Sequence, residues 1–175
     1  MKYLSLPAIA LALTLTSGFG CTTKAADPVA YSDNVKKSLE QSELTDVSVN
    51  EDREKNTITL GGSVHSEDSK NKAAEVAKSV AGARIIVNEV SVQPVGVESE
   101  AKSIASNEDT AIEKNYKASL ISKGLDKQDI DFKAKNGVLT LKGSVQTVQE
   151  REAAEKVAST VPKVQQVLNQ IEVKR

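Results

Sequence analysis

The sequence predicts an α+β fold: two tandem α-β-β-α-β domains, each a three-stranded mixed sheet with two helices packed on one face. Two observations carry this expectation: an internal duplication, and a hydrophobic pattern that alternates between helical and strand periods within each copy. Sliding the 175-residue chain by 81 positions lays Thr57–Val64 (TITLGGSV) over Val138–Val145 (VLTLKGSV). The alignment runs on without a gap. Ala73, Val76, Ala77 and Val80 fall on Ala154, Val157, Ala158 and Val161, and Asn88, Val90 and Val92 fall on Asn169, Ile171 and Val173.

Each copy divides into five elements. The first is a helix, with Ser32 as N-cap ahead of Val35 and Leu39 in copy one, and Ile112, Tyr116 and Leu120 at every fourth position in copy two. A short strand follows, where Val47 and Val49, or Ile130 and Phe132, alternate with polar residues. The Arg53–Asn56 segment and the Asn136-Gly137 pair are turn signals, the second a strong mark of a hairpin. The next strand carries Ile58 and Leu60, or Leu139 and Leu141, and ends in Gly-Ser-Val. A second helix starts at Ser66 or Thr147. Thr147 with Glu150 fits a capping box, and Glu67 and Asp68 place negative charge at the positive end of the helix dipole. Ala73, Val76, Ala77 and Val80 form one apolar stripe, and Gly82 and Pro162 mark where each helix must stop. A third strand, Ile86–Val92 or Val167–Val173, closes the unit.

The domains are therefore expected at 32–92 and 109–175. Residues 93–108, polar and containing Pro94 and Gly96, read as a linker, and 21–31 as a tether. Residues 1–20 read as a signal peptide: Lys2 precedes an uncharged run rich in Leu, Ala and Ile that is short for a membrane span. The sole cysteine, Cys21, follows this run in Ser17-Gly18-Phe19-Gly20-Cys21, which resembles the lipobox of bacterial lipoproteins, with Gly18 where the motif usually has Leu. On this reading cleavage falls before Cys21 and lipidation on it. Thr22 in place of Asp then implies sorting to the outer membrane. The other reading is ordinary cleavage after Ala25 or Ala26, with Cys21 discarded.

Composition narrows the function classes. Only 3% of residues are aromatic and there is no Trp, so the cores must be aliphatic. With 23 basic and 24 acidic residues, the chain lacks the electrostatic footprint of a nucleic-acid binder. One cysteine cannot form an internal disulfide or a Cys-rich metal site. His65 is the single histidine, replaced by Gln146 in copy two, and reads as a surface or cap residue rather than a metal ligand or acid-base group. The Gly61-Gly62 pair is not followed by the Lys of a phosphate loop. No catalytic residue, metal or cofactor is expected.

The element order, the Gly-Ser-Val closing each hairpin, and the Asn88-Glu89-Val90 and Asn169-Gln170-Ile171 endings resemble the BON domain, a family named for bacterial osmotically inducible and nodulation proteins. Both copies carry the resemblance. Its characteristic glycine maps onto Gly62 and Gly143, read as structural positions that permit a bulge or a close approach of the helix. The resemblance implies a non-enzymatic envelope protein on the periplasmic side that binds anionic phospholipid or a membrane surface and supports envelope integrity, with a link to osmotic stress. The competing reading is a soluble periplasmic chaperone or interaction module that grips an envelope protein.

Charge divides the copies. Residues 32–92 hold 8 basic and 11 acidic residues, a balance of −3, whereas 109–175 hold 12 and 9, a balance of +3. The second copy thus suits an anionic membrane surface. Its first helix carries Lys114, Lys117 and Lys123 beside Tyr116, Leu120 and Ile121, and by the resemblance these six are the candidate membrane contacts. The alternative is that Tyr116 and Leu120 are core and the lysines a solvated face.

Overall fold

The computed structural model describes residues 30–174; the expected signal peptide, Cys21 and most of the tether lie outside the described residues. The first repeat runs α1 (Tyr31–Gln41), β1 (Val47–Asp52), β2 (Thr57–Val64), α2 (Glu67–Val80), β3 (Ile85–Asn88) and β4 (Ser91–Val92). The second runs α3 (Glu98–Ser122), β5 (Asp129–Lys135), β6 (Val138–Val145), α4 (Val148–Ser159), β7 (Gln166–Asn169) and β8 (Glu172–Val173). In each sheet the long middle strand, β2 or β6, pairs antiparallel with its hairpin partner and parallel with the two short strands that follow the second helix. The parallel pairing requires a crossover, and α2 and α4 provide it.

The third strand is thus broken in two, β3 with β4 and β7 with β8. An asparagine sits at each break. Asn88 Oδ1 accepts from the Val90 N–H at 3.3 Å, and its Nδ2 donates to the Lys70 carbonyl on α2 at 2.9 Å. Asn169 repeats both bonds, to Ile171 N–H at 3.1 Å and the Arg151 carbonyl on α4 at 3.4 Å. The side chain replaces strand geometry locally and ties the second helix down onto the sheet.

Each core is a layer of aliphatic side chains between helices and sheet. In repeat 1, Val35 and Leu39 of α1 meet Ile58 and Leu60 of β2 and Ala73 and Ala77 of α2, all without exposure. The alanines let α2 lie close to the strands. Repeat 2 substitutes Tyr116 for Val35. Its ring meets Phe132 edge-on at 5.0 Å, and its hydroxyl donates to the Ala154 carbonyl at 3.2 Å. Burial raises the phenol pKa well above its ordinary value, so it remains neutral.

Three local expectations change. Helix α1 begins at Tyr31 with Ala30 at the N-cap and no side-chain cap. Ser32 instead lies inside the first turn, where its N–H reaches Glu51 Oε2 at 3.4 Å. Ser66 and Thr147 do cap α2 and α4, the latter in a full capping box with Glu150. Second, much of the expected linker is helical: α3 starts at Glu98, whose carboxylate accepts the Gly96 N–H at 2.8 Å. Glu98 and Glu100 suit the positive helix end, and the alanines that follow propagate it. Third, Gly62 (φ +88°) and Gly143 (φ +102°) are crowded by a strand rather than a helix. A Cβ on either would land on the carbonyl oxygen of Asp46 or Asp129, at the entry to the hairpin's first strand.

These contacts have measurable consequences. Gly62→Ala or Gly143→Ala should cost about 3 kcal/mol, from backbone strain plus the collision. Gly96→Ala is the control, since it shares a positive φ of +88° but has nothing within 4 Å. Urea midpoints distinguish them, and equal losses at all three glycines would refute the role of the carbonyl contact. A second prediction concerns Glu51, whose side chain is 5% exposed and accepts from Arg84 Nε at 3.0 Å, while the Arg84 guanidinium lies over the Tyr31 ring at 3.7 Å. Burial opposes ionisation of Glu51, but the Ser32 N–H and the Arg84 and Arg53 charges outweigh it and hold its pKa below the ordinary carboxylate value. A depressed carboxylate stabilises the fold above its unfolded pKa and loses that contribution as pH falls through the folded value. Stability measured from pH 7 down to pH 3 should therefore fall less steeply in Glu51→Gln than in the unaltered chain.

Candidate functional site

The candidate surface on α3 separates into two faces. Ile112, Tyr116 and Leu120 recur every fourth residue, which places them together on one side of a helix. All three are buried against the second sheet and α4, Tyr116 with no exposure and Leu120 with 4%. Tyr116 and Leu120 are therefore core residues and not available for surface contact. Lys114, Lys117 and Lys123 are exposed, and Ile121 is 56% exposed. Lys114, Lys117 and Ile121 lie three and four residues apart, so they form a continuous stripe. Lys123 is the C-cap residue, just past the last helical turn. The surface that survives is three lysines around one isoleucine.

This helix is fixed to its own sheet by carboxylates. Glu113 accepts the Ala134 N–H at 3.0 Å and pairs with Lys133 at 3.0 Å. Burial works against its charge, but these donors keep its pKa below the ordinary value. Asp109 accepts the Asn136 and Gly137 N–H groups at 2.8 and 3.1 Å, occupying the β5–β6 turn from above. Both central turn residues have positive φ, 48° and 83°, the conformation the Asn-Gly pair favours.

A second region had no counterpart in the sequence reading: the seam where the repeats meet. Its apolar centre is Val87 from repeat 1 with Val138 and Leu168 from repeat 2. Polar groups surround it. The Gln166 side-chain amide accepts from Asn88 N–H at 3.3 Å and donates to the Ile86 carbonyl at 2.7 Å. Asn136 Nδ2 donates to the Glu89 carbonyl at 2.7 Å, Lys135 pairs with Glu89 at 2.8 Å, and Lys55 donates to Gln170 Oε1 at 3.1 Å. Lys70, only 5% exposed, extends from α2 to the Asn136 carbonyl at 3.2 Å and Gln165 Oε1 at 3.1 Å. Burial lowers its pKa, while Glu67 and Asp109 pull it back up. Beside it opens a cleft of about 360 Å³, lined by Val92, Ala101, Ile104, Asp109 and Lys163 among others. No sequence signal pointed to Lys70, because its acceptors lie 66 and 95 residues away.

Gly62 and Gly143 lie inside the sheets and answer to backbone geometry, as described above. His65 is exposed and its Nδ1 lies 3.1 Å from the Gln93 carbonyl. Among the described residues no group of three or more His, Cys, Asp or Glu side chains is arranged to hold a metal ion, and no helix is long and apolar enough to cross a membrane.

Comparison with known proteins agrees with this architecture. The chain is similar to osmotically-inducible protein Y of Escherichia coli (strain K12), 29% identical over 154 residues, which is 87% of this chain and 71% of that protein. It also overlaps the C-terminal domain of CdsD, the structural protein of the type III secretion system of Chlamydia trachomatis. That match has 12% identity and a TM-score of 0.34, covering 82% of this chain and 67% of the other, too slight a likeness to transfer anything. The BON domain model matches residues 30–94 and again 108–175, one match on each repeat; this protein is a member of the BON domain family.

Proposed function

We propose that this protein is a non-enzymatic component of the cell envelope, facing the periplasm, that associates with anionic phospholipid through its second repeat. In this reading it supports envelope integrity under osmotic stress. The observation that carries the proposal is the exposed stripe of Lys114, Lys117 and Ile121 with Lys123 at its end, on the repeat whose balance is +3. Lysines near an anionic surface contribute roughly 1 kcal/mol each, and an exposed isoleucine between them adds an apolar contact at the headgroup level. Its relation to an osmotically inducible relative supports the stress setting. Cys21 supplies the anchor, as a lipidated N-terminus sorted to the outer membrane; the two acyl chains of a diacylglyceryl group suffice for stable attachment, and the basic patch adds a headgroup contact.

A chaperone or interaction role is the competing reading, favoured by Val95, Val97 and Ile104, which are 76%, 48% and 59% exposed near the start of α3. Vesicle co-sedimentation of the chain without its acyl anchor separates the two. Binding should be stronger to phosphatidylglycerol than to phosphatidylcholine vesicles and should weaken with salt. Replacing Lys114, Lys117 and Lys123 by Ala should reduce it by roughly a hundredfold, the equivalent of about 3 kcal/mol. Equal binding to both lipids, or an unaffected triple variant, would refute the lipid role. The mass of the mature N-terminus tests the anchor: a diacylglyceryl-modified Cys21 is expected, and an N-terminus beginning after Ala25 or Ala26 would overturn it.

A further inference from the structure

In the first sheet the outer edge, β3, is already covered, and the manner of covering is informative. Alternation along a strand turns the backbone groups of residues 86 and 88 away from β2. The Gln166 carboxamide meets both, accepting from Asn88 N–H and donating to the Ile86 carbonyl. A carboxamide presents the same donor and acceptor as a peptide group, so Gln166 stands where one peptide unit of an added strand would stand.

The equivalent edge in the second sheet is β7. The Gln166 and Gln170 N–H groups point inward to the carbonyls of Gly137 and Leu141, so Val167 and Asn169 turn their backbone groups outward. Among the described residues nothing reciprocates the Gln166 bridge. The position equivalent to Gln166 is Ile85, which has no amide and is 48% exposed, and the preceding Arg84 is held back on its own repeat by Glu51 and Tyr31. Ile86 is 7% exposed beneath its cover, whereas Val167 is only partly buried. Beside β7 runs a groove of about 510 Å³, lined by Glu152, Glu155, Lys156 and Ser159 of α4 and by Val164 to Val167. The chemistry of its wall has diverged from repeat 1: Glu152 and Glu155 stand where repeat 1 has Asn71 and Ala74.

We propose that the β7 edge receives an extended segment of a partner protein, added as a further strand. Val167 carbonyl and Asn169 N–H would pair with its backbone, and Glu152 and Glu155 would favour basic side chains on the segment. The site lies on β7 and α4, apart from the lysine stripe of α3, and is independent of the lipid reading.

The probe is the acetylated, amidated octapeptide Lys-Val-Thr-Val-Lys-Val-Thr-Val, titrated into the ¹⁵N-labelled chain. Saturable shifts centred on Val167, Asn169 and α4 are expected, with slowed hydrogen exchange at the Asn169 amide. The same peptide N-methylated at every residue should not bind, since it lacks the backbone donors. Glu152→Lys, an exposed position, should weaken binding roughly tenfold while leaving thermal unfolding unchanged. Replacing Lys114, Lys117 and Lys123 by Ala should leave peptide binding intact even where vesicle binding is lost. Absence of shifts, shifts that survive N-methylation, shifts centred on α3, or β7 amides already protected by self-association in the free chain would each overturn the proposal.

Discussion

Asn88 ties together three parts of this molecule. It closes the broken third strand onto Val90 and holds the Lys70 carbonyl of α2, while its own N–H takes the Gln166 side chain of the other repeat. A buried carbonyl on a helix is normally committed to the helix ladder, so a side-chain donor there fixes where the helix sits over the sheet. With α2 in that position, the Lys70 side chain projects past the sheet edge to the turn at Asn136. The repeat's fold and the docking of its neighbour thus depend on one asparagine placement. Asn169 makes the same internal contacts in the second repeat, with Arg151 in the place of Lys70.

Divergence between the copies reaches the core at one large side chain, Tyr116 in the place of Val35, and otherwise bears most on what faces outward. The aliphatic layer, the glycine at the hairpin entry, the asparagine and the capping hydroxyl all recur 81 residues apart. What differs is the edge and the surface charge: Gln166 against Ile85, Glu152 and Glu155 against Asn71 and Ala74, and Lys114, Ile121 and Lys123 against Asp33, Glu40 and Ser42. The seam itself is a small apolar contact inside a ring of polar groups, resembling a transient interface more than a core. Lys70 adds specificity at a desolvation cost, since docking exchanges its water for two acceptors on the other repeat.

Helix α3 shows how one element can serve two ends. Its buried face supplies Ile112, Tyr116 and Leu120 to a core that has few aromatic residues, and its exposed face is left to lysines and Ile121. Tyr116 and Leu120 sit beside Lys117 and Ile121 in the chain, but adjacent helical residues point about 100° apart. Proximity in sequence therefore overstated the contact surface, and the helical projection divides it.

Much of the fold was legible in the sequence because it depends on local signals repeated twice. Apolar periodicity marked the helices and strands, Ser66 and Thr147 marked helix starts, and Asn136-Gly137 marked a hairpin; each acts through neighbours within a few residues. The recurrence of one glycine in both copies likewise pointed to Gly62 and Gly143, though not to the Asp46 and Asp129 carbonyls that crowd them. The helical character of residues 98–108 was hidden, since small and polar residues without an apolar stripe read equally as linker, and α3 has no side-chain N-cap to mark its start. The seam, the buried charge of Lys70 and the open edge of β7 were decided only in three dimensions. The seam's bonds join residues 46 to 115 positions apart, and no periodicity or short motif records such a pairing.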